Sequence, residues 1–144
     1  MRTVIVNPRA ALAACALAGL LGGCASMVGT SQAKVTLSGS HEVPPVATAA
    51  SGEARFTVDR DWGVQGKVTT QGIDGTMAHI HAAAPGVNGP IIIPLVKSGA
   101  NEWSVPAGAR LTDAQFKSYR AGRLYVNVHS AAHPSGEIRG QLTP

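Results

Sequence analysis

From Lys34 onward, apolar and polar residues alternate in short runs broken by Gly, Pro and Asn. A period of two puts every second side chain on one face, so each run reads as a half-buried β-strand. Lys34–Gly39 is the first run. Glu53–Val58 is the second, with Ala54, Phe56 and Val58 sharing a face. Val64–Thr70 follows, then a Gly72-Ile73-Asp74-Gly75 turn and a fourth run over Met77–Ala82. Pro85 to Pro90 is a tight loop, because its Pro and Gly residues force or permit unusual backbone angles. Ile91–Val96 is largely apolar but contains Pro94, which cannot donate to a ladder and predicts an edge or bulged strand. Glu102–Val105 is short. Arg123–His129 and Glu137–Leu142 complete the set, joined by a loop from Ser130 to Gly136. One helix intervenes. Thr112 as N-cap and Gln115 three residues on form a capping box, Leu111, Phe116 and Tyr119 can face the core, and Gly122 ends it. About eight strands and one short helix predict an all-β antiparallel sandwich.

The N-terminal segment has a different pattern. Arg2 and Arg9 accompany an apolar run, Ala10–Leu21, of about 12 residues, against the roughly 20 that cross a bilayer as a helix. A basic start, a short apolar core and then small residues mark residues 1–23 as a secretory signal segment. Leu21-Gly22-Gly23-Cys24 resembles the bacterial lipobox, in which small side chains flank the scissile bond and the Cys thiol carries the lipid. Cys24 is then the lipidated first residue of the mature chain. Ala25, where Asp would signal retention, resembles the pattern sorted to the outer membrane. Residues 24–34 read as the lipidated Cys and a flexible tether, and 35–144 as one domain. The expectation is an exported protein, anchored to the membrane through Cys24.

Composition narrows the chemistry. The two cysteines are Cys15, inside the signal segment, and Cys24. The mature domain therefore offers no thiolate nucleophile, no Cys-ligated metal and no disulfide, and its stability must come from packing. The formal charge is +4, but Arg2 and Arg9 belong to the signal segment, leaving ten basic and eight acidic residues, interspersed. Without a basic cluster, nucleic acid is not an expected partner. Trp62 and Trp103 either plug the core or line a ligand surface. Ser130 lacks the strained turn of a hydrolase nucleophile, and Gly86-Val87-Asn88-Gly89 does not open a helix as a phosphate loop would.

Histidine carries the remaining chemistry. All five histidines follow position 40. His79 and His81 are two apart on a strand, so both imidazoles share a face. Tyr125, Asn127 and His129 likewise share one face, opposite Leu124, Val126 and Val128, and His133 lies in the following loop. In the last strand Glu137 and Arg139 form a potential same-face pair, most simply a solvated one. If the two His-bearing strands are neighbours, three or four imidazoles converge. A nitrogen-rich, thiolate-free set of that kind suits copper or zinc. The candidate ligands are His79, His81, His129 and His133. Asn127, Glu137 and Arg139 lie around them, and Glu137 or Asp74 could orient a ring from behind. The competing reading makes the histidines hydrogen-bonding scaffolding for loops at one end of the domain. His41, followed by Glu42 in an extended Pro-containing segment, is a weaker candidate.

Three stretches together resemble the CHRD domain, a module first described in chordin and also found in bacterial exported proteins. They are Leu37-Ser38-Gly39 through His41-Glu42-Val43-Pro44-Pro45-Val46; Ala78-His79-Ile80-His81 with Asn88-Gly89-Pro90; and Leu124 through His129 with His133 through Leu142. The match spans roughly residues 35 to 144, with two small departures: His41 stands where Asn or Gln is expected, and Ala82 where Gly is usual. The resemblance implies an immunoglobulin-like β-sandwich but no defined enzymatic activity. The His-x-His strand is also similar to the copper-binding strand of Cu,Zn superoxide dismutase, but the Cys pair and the full bridging-His and Asp zinc set of that enzyme cannot be traced. The sequence leaves three functions open: a metal-binding envelope lipoprotein, a module binding an envelope protein or glycan, and a metal-dependent enzyme.

Overall fold

The computed structural model describes residues 32–144. The signal segment, Cys24 and most of the expected tether lie outside the described residues. The elements are β1 (Gln32–Ser38), β2 (Ser51–Val58), β3 (Val64–Gln71), β4 (Gly75–Ala82), β5 (Ile91–Pro94), β6 (Val96–Gly99), β7 (Glu102–Ser104), α1 (Asp113–Arg120), β8 (Leu124–Ser130) and β9 (Ile138–Leu142). The 3-10 turn Gly39–His41 follows β1. Gln32 to Lys34, read from sequence as the end of the tether, are the first residues of β1.

The domain is all-β and antiparallel, but the expected sandwich of two separate sheets is not what forms. Among the described residues, nine strands make one sheet in the order β5-β4-β8-β9-β1-β2-β3-β7-β6. The two outermost strands are consecutive in the chain and separated only by Leu95, so the sheet curls until its ends meet and resembles a nearly closed barrel. Pro94 explains this break. Lacking an N–H, it ends the ladder on β4, and the chain crosses at Leu95, whose N–H donates to Ala78 O at 2.9 Å. The run read as a single strand over 91–96 is therefore two edge strands. Opposite this crossing, β1 and β9 are paired only at Ser38 with Arg139.

The inward faces meet in one core. Val35 and Leu37 of β1, Ala54 and Phe56 of β2, Val64 and Val68 of β3, Ala78 and Ile80 of β4, Leu124, Val126 and Val128 of β8, and Ile138 and Leu142 of β9 are buried together. Trp103 joins them, so this tryptophan plugs the core. Helix α1 closes one end with Tyr119, after Leu111 just before its cap, while Phe116 packs against Trp62 at a ring separation of 6.0 Å. The Thr112 side chain accepts from Gln115 N and the Gln115 side chain accepts from Thr112 N, the reciprocal box expected from the sequence.

Two substitutions test this account by urea unfolding. Ile80→Ala removes a core side chain that is 1% exposed and should cost about 2–5 kcal/mol. Thr112→Ala should cost about 1 kcal/mol, the usual value of an N-cap.

Candidate metal centre

The outer face of β4, β8 and β9 is where the polar side chains gather. In the β4–β8 ladder, Met77 is opposite His129, His79 opposite Asn127, and His81 opposite Tyr125. In the β8–β9 ladder, Asn127 is opposite Arg139 and Tyr125 opposite Gln141. Directly opposed and diagonal side chains on one face are within reach of each other, so the register alone places His79, His81 and His129 around Asn127. One nitrogen from each of these three histidines can be chosen so that all lie within 4.8 Å of one another. His79 Nδ1 and His129 Nε2 are 3.0 Å apart.

Much of this outer face is covered. Every residue of β8 is buried, because the segments around residues 41–48, 83–90 and 131–137 fold over it. His81 Nδ1 is 2.9 Å from Gly89 O and His129 Nδ1 is 3.0 Å from Pro134 O. A carbonyl only accepts, so both Nδ1 atoms carry the proton and both Nε2 atoms carry the lone pair. Backbone carbonyls thus set the tautomer in which a metal-ligating histidine is held from behind. The role had been expected of Glu137 or Asp74. Asp74 is exposed, and the Glu137 carboxylate is used otherwise, accepting from Thr48 Oγ1 at 2.7 Å and from Ser130 Oγ.

Arg139 and Glu137 are both buried and do not form the solvated pair suggested by their spacing. The Arg139 guanidinium carbon lies 3.4 Å from the centre of the Tyr125 ring. Its Nη1 donates to Asn88 Oδ1 and its Nη2 to Val87 O. On the far side of the same ring, His81 stacks at 4.6 Å and 5°. His81, Tyr125 and Arg139 therefore form a three-layered stack, with cation–π attraction on one side. It fixes the His81 ring plane while Gly89 fixes its rotation. Asn88 Nδ2 donates to Val43 O, tying two of the covering segments together.

Burial determines the charge of the cluster. Desolvation, followed by the neighbouring His129 and His81, pushes His79 down to about 4. Desolvation also lowers His81, against the Gly89 carbonyl and Asn127, and lowers His129, against the Pro134 carbonyl. All three rings are therefore neutral at pH 7, the form that binds metals. Glu42 moves the other way: desolvation raises its carboxyl, against the lowering influence of Arg139.

The structure brings together three of the four candidate ligands. His133 lies in the β8–β9 loop, half-buried, outside the group of three; its backbone N–H caps Ser130 Oγ at 3.2 Å. His41 is exposed, its Nδ1 3.2 Å from Arg139 O. Sequence reasoning missed Glu42, which is buried with Oε1 lacking any hydrogen-bond partner. It also missed the carbonyls of Gly89 and Pro134. Side-chain patterning cannot reveal backbone acceptors, although the Asn88-Gly89-Pro90 turn marked the place.

Fold and site define a small all-β domain with a buried imidazole cluster on the outer face of a curled sheet. The CHRD domain model matches residues 33–142, and the chain belongs to the CHRD-domain family. No curated protein and no solved structure matches it significantly.

Two measurements probe this packing. A Cβ on Gly136, at φ +128°, would collide with Glu42 Oε1 and Asn127 Nδ2; Gly136→Ala should destabilise by roughly 1–3 kcal/mol in urea. The second concerns pH. Unfolded histidines bind protons below about pH 6.5, whereas folded His79 resists protonation down to about 4. Between those values the unfolded chain holds more protons, so stability should fall as pH drops from 6.5 towards 4. Glu42 opposes the trend, since its raised carboxyl takes a proton earlier in the folded state. Urea midpoints that stay flat from pH 7 to 4 in native protein would contradict three neutral buried rings.

Proposed function

We propose that this protein is an envelope-anchored CHRD-domain lipoprotein that binds a transition metal, copper or zinc, through His79, His81 and His129. The observation that carries the reading is the cluster itself: three imidazole nitrogens within 4.8 Å of one another, two of them presented by carbonyl-held rings. Zinc–nitrogen bonds are about 2.0–2.1 Å, so tetrahedral ligands sit roughly 3.3 Å apart. The widest spacing allowed by the cluster, 4.8 Å, exceeds that value by about 1.5 Å, to be taken up by small shifts of the rings on binding. His79 is only half-buried, which gives an ion a way in from solvent. The thiolate-free donor set favours Cu(II) or Zn(II) over softer ions. Membrane anchoring rests on the lipobox resemblance at Cys24 and the short apolar run before it, and an outer-membrane location on Ala25.

A second reading uses the same hydrogen bonds differently. His81 to Gly89 and His129 to Pro134 fasten two loops to the sheet, as structural histidines would in a module that binds a protein or glycan. A cleft of about 650 Å³ beside the first of these loops, lined by His41, Glu42, Pro45, Pro85, Arg139 and Gln141 among others, gives such a ligand a place.

Calorimetric titration separates the two. The purified, metal-stripped full-length protein should take up one equivalent of Cu(II) or Zn(II), and His79→Ala/His129→Ala should take up none above background. At one hundred times Kd the ion should stabilise the native protein by about 2.7 kcal/mol and leave the double variant unaffected. Equal uptake by both proteins, or none by either, would favour the scaffolding role and a macromolecular ligand.

A further inference from the structure

The three histidines leave one buried acceptor at their centre unexplained. Asn127 is the cross-strand partner of His79 and precedes His129 by two on the same face of β8, and His81 is its diagonal neighbour. It is 2% exposed, yet its Oδ1 has no hydrogen-bond partner. His81 Nε2 is also buried and unpartnered. The Asn127 side chain interacts with His81 on one side and Glu42 on the other. With Nδ1–H committed to Gly89, His81 presents a lone pair at Nε2, and the amide oxygen presents another. The same face thus holds two buried acceptors with no donor among the described residues. A cation held by both would satisfy them. The amide nitrogen is turned to the opposite side, where Nδ2 and Glu42 Oε1 both lie against Gly136, so the carbonyl end is the one left for the histidines.

We infer that Asn127 Oδ1 is the fourth ligand of the ion, completing a three-imidazole, one-amide-oxygen site. The inference rests on the metal reading above and assigns Asn127 a direct bond in place of a supporting role. A neutral oxygen adds no charge to the site and is a harder donor than a thioether or thiolate, so the completed set favours divalent borderline ions over Cu(I). It also fills a coordination position from within the protein, which describes a site that holds an ion more than one that opens it to substrate.

The test uses native full-length protein and cadmium(II) as an NMR-active probe of the site. Scalar coupling should run from the ion to nitrogens of His79, His81 and His129 and to Asn127 Cγ. Couplings to the three imidazoles without one to Asn127 would overturn this inference and leave the metal reading standing. No coupling and no uptake would overturn both. In parallel, Asn127→Ala should bind Zn(II) about 10-fold or more weakly, while Asn127→Asp, which keeps an oxygen in place and adds charge, should bind at least as tightly as the native protein. Undiminished affinity in Asn127→Ala, with no coupling at Asn127 in the native protein, would show that the amide only packs there.

Discussion

Strand β8 is buried on both faces, and the two faces demand opposite chemistry. Inward, Leu124, Val126 and Val128 join an apolar core and need no partners. Outward, Tyr125, Asn127 and His129 are polar and equally cut off from water, so each needs a partner or leaves an uncompensated group. Much of the outer architecture follows from that constraint. The covering segments supply the carbonyls of Gly89 and Pro134, and Arg139 caps the Tyr125 ring. Among the described residues, the buried side-chain groups that remain unpartnered, His81 Nε2, Asn127 Oδ1 and Glu42 Oε1, lie in this same region.

Much of the fold could be read from the chain because its strands obey a period of two and its helix carries an explicit start signal at Thr112 and Gln115. The curvature of the sheet was not readable. Pro94 predicted an irregular edge strand, but periodicity does not record that the chain would leave one end of the sheet and rejoin it at the other through Leu95. Long-range pairing order is a property of the whole packed core, and local alternation is compatible with two sheets or with one curled sheet.

The site was partly legible for a similar reason. His79 and His81 had to share a face, as did Asn127 and His129, and the register of β4 on β8 then joined the two pairs. His133 follows no strand period, being a loop residue, and spacing could not say where its ring would point. Glu137 and Arg139 looked like an ordinary surface pair because sequence alternation distinguishes polar from apolar faces, not exposed from covered ones. The covering segments convert that polar face into an interior, and only their three-dimensional path reveals it.

The separation of the histidines along the chain also sets the order in which the site comes into being. His79 and His129 are 50 residues apart, and no local turn brings them together. An unfolded chain offers an ion only short-range pairs such as His79/His81 or His129/His133; His129 joins His79 and His81 with the β4–β8 ladder, and its Nδ1 is held where the segment carrying Pro134 closes over it. Such a long-range contact carries a loop-closure cost before it yields any stabilisation. An ion bound at the proposed site would therefore discriminate sharply between folded and unfolded chains: its capture would follow the completion of folding and make the native state harder to leave.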